Sequence, residues 1–198
     1  MLSENTQEVI QTAEQLICTD NVFSCPDRHG PNRWSRYREI HQTCMMQFKS
    51  SKYSHFVDCD SLTFSEDTEK GILLSGEIAC LGKILIRAEK SLRTLECLNG
   101  DRIVQTVWYA YNASVQDHGN ILRYDNQDQD WYRPGHLDEH HKHLFDWQSG
   151  HEIGIQWIGK CKWPTLGDLI HEVYVWYLNN QAFLPSPREY ATLKCRGR

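Results

Sequence analysis

None of the eight cysteines stands in a C-x-x-C pair; they fall at positions 18, 25, 44, 59, 80, 97, 161 and 195. Structural zinc usually relies on such pairs, because a tight turn then aims two thiolates at one ion. Their scatter points to buried thiols in a reducing compartment, with a mixed Cys/His site built from distant residues left open. No apolar run approaches the roughly 18 residues that a spanning helix needs. The opening MLSENTQEVIQTAEQL has neither the basic start nor the apolar stretch of a secretory signal. Together these absences predict a cytoplasmic protein with no membrane partner. Internal repeats and low-complexity tracts are missing as well.

What is present is ordinary globular composition, 40% hydrophobic and 24% charged over 198 residues, enough for one domain with a proper core. Seven tryptophans and nine tyrosines promise a core with polar handles, or aromatic surfaces that bind something. The net charge of −5 is unevenly spread. Cys25 to His55 holds six Lys/Arg against two Asp/Glu, whereas Asn112 to Glu152 holds three against eight. The first stretch can meet phosphate; the second can raise histidine pKa values or bind cations. Two solvated faces of opposite sign would look the same.

Helical spacing opens the chain at Val9, Ala13, Leu16 and Ile17, with Ser3 or Thr6 as cap. After the loop SCPDRHGPNR it returns through Trp34, Tyr37, Ile40, Cys44 and Phe48. Arg33, Arg36 and Arg38 gather at the start of that second helix, where the macrodipole does not favour cations, which hints at substrate binding. From about residue 70 the rhythm becomes that of strands, and Asn99-Gly100 is the clearest hairpin turn. Connections too short for helical crossovers make the sheet mainly antiparallel. Thr165 and Asp168 form a capping-box pair ahead of Leu166, Leu169, Ile170, Val173, Trp176 and Tyr177, one broad apolar face. The expected fold is α+β, a sheet of about five strands with a C-terminal packing helix. Residues 1–65 are read as a helical, partly basic extension and 66–198 as the core, with the tail from Leu184 loosely held.

Three of the ten histidines crowd into LDEHHKHLFDW, residues 137 to 147. If this stretch is extended, His141 and His143 share one face, about 7 Å apart, and His140 and Lys142 the other. Two imidazoles so placed can flank a phosphate: one takes the proton of an RNA 2′-hydroxyl, the other protonates the leaving oxygen, and Lys142 or Arg123 steadies the charge. Asp138, Glu139 and Asp146 are the nearby acids that can orient the rings. Alternatively Asp125 with His140, His141 and His143 supplies nitrogen and oxygen ligands for Zn²⁺ or Mn²⁺, though a lysine inside the cluster repels a cation and the spacing is not that of H-E-x-x-H. The bland alternative is solvated surface histidines. In the second constellation, RYDN, Arg123 can grip phosphate bidentately and Tyr124 can stack on a base. Asp125 and Asn126 can orient the histidines across the sheet or form the turn that ends the strand; Asn126 reads first as the turn, and for Asp125 the two readings stand level.

In their joint order, LLSGEIACLGKILIRAE, VWYAYNA, ILRYDNQ, EHHKHLFD and WPTLGDLIHEV resemble the TumE family of prokaryotic toxin–antitoxin modules, over roughly residues 68 to 180. Arg123, Tyr124, Asp125, Asn126 and His140, Lys142, His141, His143 carry the match. Glu139 departs from the proline the family usually has there, and the loop QDQDWYRPGHLDE is more acidic than the family pattern. The resemblance implies a toxin, and with it an antitoxin or other protein partner. With the residue chemistry it gives the expectation of a ribonuclease acting on RNA without a metal or other cofactor. In that expectation His141, His143, Lys142, Arg123, Tyr124 and Asp125 form the catalytic set, and Arg33, Arg36, Arg38, His140 and Asn126 bind substrate. A non-catalytic binding module of a defence complex and a metal-dependent nuclease remain the alternatives.

Overall fold

Apolar residues at every second position from Ile72 onward become one large antiparallel sheet with its apolar face under two helices. The computed structural model describes residues 30–50, 53, 55–67, 71–126, 140–159 and 162–194. The expected first helix with its Ser3 or Thr6 cap lies outside these residues, as do His136, Asp138 and Glu139. The elements run β1 (Asn32–Arg33), α1 (Trp34–Ser50), β2 (Val57–Asp60), β3 (Thr63–Asp67), β4 (Gly71–Cys80), β5 (Ile84–Leu98), β6 (Asp101–Val115), β7 (Asn120–Asp125), β8 (His141–Phe145), β9 (Glu152–Trp157) and α2 (Leu166–Asn180). The sheet order is β2-β4-β5-β6-β7-β8-β9, with β3 on β4 and β1 on β6. Among the described residues no helix is long and apolar enough to cross a membrane.

The α+β class with a C-terminal helix matches expectation, but among the described residues the sheet has nine strands where about five were expected. The additional strands come largely from residues 32–67. β2 and β3 both pair with β4, and the chain passes between them over Gly76, where a Cβ would meet the Ser61 carbonyl oxygen at 2.6 Å. The described residues between 30 and 65 therefore supply strands of this sheet and one of its covering helices. Asn99 and Gly100, both at positive φ (52° and 80°), make the β5–β6 turn that this residue pair favours.

Both helices cover the same face. Cys44, Met45 and Phe48 from α1 and Leu166, Leu169, Ile170, Val173 and Tyr177 from α2 close on Ile78, Ile86, Ala88, Tyr111, Ala113 and Tyr124. α2 starts as its sequence dictates: the Thr165 hydroxyl accepts from the Asp168 amide at 3.2 Å, and the Asp168 carboxylate accepts from the Thr165 amide at 2.7 Å. The tail from Leu184 is held, against expectation. Leu184 and Ala191 are buried, the Ala191 amide donates to the Cys80 carbonyl at 3.0 Å, and Ala191 lies with Ala79 and Leu85 on the face away from the helices. Cys44 and Cys80 are buried free thiols, and burial raises both pKa values, that of Cys44 to about 12.

Ile170 is fully buried against the sheet, so Ile170→Ala is expected to cost about 2–5 kcal/mol by chemical denaturation. His41, on α1, stands edge-on to Phe64 at 5.0 Å. Burial first, then the Lys90 ammonium, lowers its pKa to about 4 against an opposing pull from Asp60. The unfolded chain therefore takes up this proton first as pH falls, so the contribution is complete above about 6.5 and drains away toward 4. Between pH 7 and pH 5 the wild type should lose about 2 kcal/mol more stability than His41→Gln, read from paired denaturation curves.

Candidate active site

The site is made by strand pairing. β7 and β8 run antiparallel with Arg123 opposite His143, Tyr124 opposite Lys142 and Asp125 opposite His141. Directly paired residues point to the same face, so this register sorts the motif residues into two sets. One set, Arg123, Asp125, His141 and His143, lies on the face away from the helices. The other, Tyr124 and Lys142, points under α2.

On the first face the four side chains converge. His141 Nε2 lies 3.0 Å from Asp125 Oδ1, and His143 Nε2 lies 3.9 Å from Asp125 Oδ2. The other ring nitrogen of His143, Nδ1, contacts Glu152 Oε2 at 2.7 Å. The two imidazoles meet edge to face with centroids 4.7 Å apart, closer than the 7 Å their backbone spacing suggests, because the rings lean together. Asp125 and His141 are buried, and Trp157 stands 5.6 Å from His141 on its β9 side. Arg123 Nε lies 2.7 Å from Asp125 Oδ2 while its side chain stays 45% exposed, so the guanidinium bridges the buried carboxylate and the solvent. Burial would push the Asp125 carboxyl up, but the His141 hydrogen bond and the Arg123, His141 and His143 charges outweigh it, and the net shift is downward.

On the second face the roles are structural. Tyr124 donates its hydroxyl to Glu172 Oε2 at 2.6 Å, and Lys142 pairs with Glu172 Oε1. Burial, then the Glu172 charge, raises the Tyr124 phenol, which removes it from proton transfer near neutrality. The expected catalytic set is therefore divided: His141, His143, Asp125 and Arg123 stand together, while Lys142 and Tyr124 are turned away from them. His140 is buried rather than presented to a substrate. Its ring is parallel to Tyr109 at 5.9 Å and edge-on to Trp163 at 4.5 Å. Asn126 fastens the end of β7, accepting from the Tyr109 amide at 2.8 Å and donating to the Val107 carbonyl at 3.1 Å.

The arginines at and just before the start of α1 stand elsewhere. Arg33 is opposite Ile103, seven positions along β6 from Ala110, the partner of Asp125, which is about 24 Å at strand rise. Arg36 pairs with Glu39 at 2.8 Å, and Arg38 lies over Trp34 at 5.3 Å. The Asp101 carboxylate accepts from the Ser35 amide at 3.3 Å, supplying the negative charge that this helix start otherwise lacks.

Sequence reasoning missed Glu152 and Glu172. Asp146, expected to orient a histidine, instead closes its own turn, accepting from the Gln148 amide at 3.1 Å and the Ser149 hydroxyl at 2.6 Å. The acid that reaches His143 is the first residue of the next strand, brought there by an irregularity in register between Leu144 and Phe145. The signal available was an acid opening a strand directly after a tight turn.

Comparison of the chain with protein-family models, with curated proteins and with solved structures found no match in any of the three.

The separation of the faces has an energetic signature. A double-mutant cycle between Lys142 and Glu172 should give a coupling of about 1 kcal/mol or more, because the lysine is largely desolvated. The cycle between Lys142 and Asp125, on opposite faces, should stay within about 0.5 kcal/mol, both read by denaturant titration.

Proposed function

We propose that this chain is a toxin of the toxin–antitoxin kind that cleaves RNA by acid–base catalysis. The observation that carries the reading is two imidazoles in contact, each with its own carboxylate, beside a half-exposed guanidinium on one sheet face. Such an arrangement suits transfer of two protons around a phosphate. One imidazole removes the 2′-hydroxyl proton as that oxygen attacks phosphorus. The other, protonated, gives its proton to the 5′-oxygen as the P–O5′ bond breaks. The products are a 2′,3′-cyclic phosphate and a 5′-hydroxyl, and the enzyme ends with its proton on the opposite ring. Asp125 and Glu152 hold the rings and stabilise their charged forms.

Rings 4.7 Å apart leave no space for a phosphate between them, so it sits at their outer edge against Arg123. Arg123 takes the charge-stabilising role without Lys142, whose ammonium is held by Glu172 on the other face. The toxin part of the reading is supported by the resemblance of RYDN and HHKH to the TumE family. An antitoxin or other protein partner that covers the His141–His143 face follows from it, and RNA is the substrate.

His143 is the more accessible of the two rings. Its replacement by alanine should lower cleavage of labelled total RNA by about 100-fold or more, with cleavage by the wild type not lost in EDTA. The ends should be 2′,3′-cyclic phosphate and 5′-hydroxyl, read by end-specific labelling. Full activity of a folded His143→Ala, or 5′-phosphate ends, would contradict the mechanism.

A further inference from the structure

We propose that Asp125, His141 and His143 form a binding site for a divalent transition-metal ion of the zinc or manganese class. One ligand atom from each of the three lies within 4.8 Å of the others. In a tetrahedral site, bonds of about 2.0–2.2 Å separate neighbouring donors by about 3.3–3.6 Å. The two measured gaps, 3.0 Å from His141 Nε2 to Asp125 Oδ1 and 3.9 Å from His143 Nε2 to Asp125 Oδ2, fall on either side of that range. Small side-chain rotations close the difference.

A second observation is independent of this spacing. Asp125 is 1% exposed, and its Oδ2 accepts no hydrogen bond. Arg123 Nε is 2.7 Å away, but its N–H is not aligned on that oxygen. The Arg123 charge offsets part of the cost of burying this oxygen, but no N–H is directed at it, and it faces the imidazole of His143.

The third observation is outside the ligand set. Nδ1 of His143 contacts Glu152 at 2.7 Å, and the tautomer with its proton on that nitrogen turns the Nε2 lone pair toward Asp125. Lone pair and carboxylate repel unless a proton or a cation stands between them. A carboxylate behind a ligating histidine is the usual way its tautomer and direction are fixed, which makes Glu152 a positioning residue. Lys142 does not oppose an ion here, because the alternation of β8 sends its ammonium to Glu172 on the far face.

Two imidazole nitrogens and one carboxylate oxygen suit zinc, manganese or ferrous iron better than magnesium or calcium, which take oxygen ligands. The inference deepens the ribonuclease reading and rests on it in one respect only, the effect of the ion on cleavage. Binding displaces the proton between His141 and Asp125 and takes the lone pairs that proton transfer needs. A loaded site therefore cannot carry out the metal-independent step, and the ion acts as a brake.

The test is calorimetric titration of the full chain with zinc chloride in a non-coordinating buffer, without RNA. One ion per chain is expected for the wild type. Binding should be at least 100-fold weaker in His143→Ala and about 10- to 100-fold weaker in Glu152→Gln, with circular dichroism unchanged in both. Because Glu152 is not a ligand, its variant keeps the test readable should His143→Ala fail to fold. The absence of a one-to-one event in the wild type, or equal affinity in Glu152→Gln and the wild type, overturns the proposal. Since no RNA is present, absence of binding leaves the ribonuclease reading standing. Binding by a chain whose EDTA-treated, metal-free form cleaves no RNA would sink that reading and keep the ion site.

Discussion

The register between β7 and β8 is the constraint on which the site depends. Side chains alternate across a strand, so slipping β8 by one residue would carry Lys142 to the side of Asp125 and put His141 and His143 under the helix. The sequence HHKH codes for two faces at once, and the pairing decides which chemistry appears on which. With Asp125 opposite His141 and Arg123 opposite His143, a carboxylate, two imidazoles and a guanidinium are gathered from two neighbouring strands without any loop having to place them.

That register is held from the other side of the sheet. Glu172 binds Tyr124 of β7 and Lys142 of β8 together, like a staple across the strand pair. It can do so because α2 begins where the Thr165–Asp168 capping box starts it and lies where Leu169, Ile170 and Val173 bury it. His140 adds an anchor between Tyr109 and Trp163 just before β8 begins. The residues that resemble a catalytic set in sequence thus divide into those that present the chemistry and those that fix the strands presenting it. A single motif serves both needs, which is why its residue types look over-provided for either.

Much of this was legible in the chain. The capping box, the Asn99-Gly100 turn, the antiparallel sheet and the His141/His143 partition each follow from short-range rules, a side chain within reach of its own backbone or a period of two. Apart from Asp146, which closes its own turn, the misses are long-range. β2 and β3 are short and polar, and their strand character comes from pairing with β4 rather than from their own pattern. The tail was read as loose from its prolines, yet it is fastened by Leu184 and Ala191 to residues a hundred positions earlier. Glu152 and Glu172 are ordinary acids in sequence, and only the fold gives each its partner. The α1 arginines looked like substrate contacts because their helix start disfavours them, whereas Asp101 from a distant hairpin supplies the missing charge.

His143 is held through Nδ1 by Glu152 with Nε2 turned toward Asp125. Long-range proton–nitrogen NMR correlation of the histidine rings can read this arrangement. Neutral His143 is expected to carry its proton on Nδ1, and Glu152→Gln to shift the His143 ring while leaving the buried His140 ring in place. A His143 ring protonated on Nε2, or one that averages between tautomers as a solvated histidine does, would contradict it.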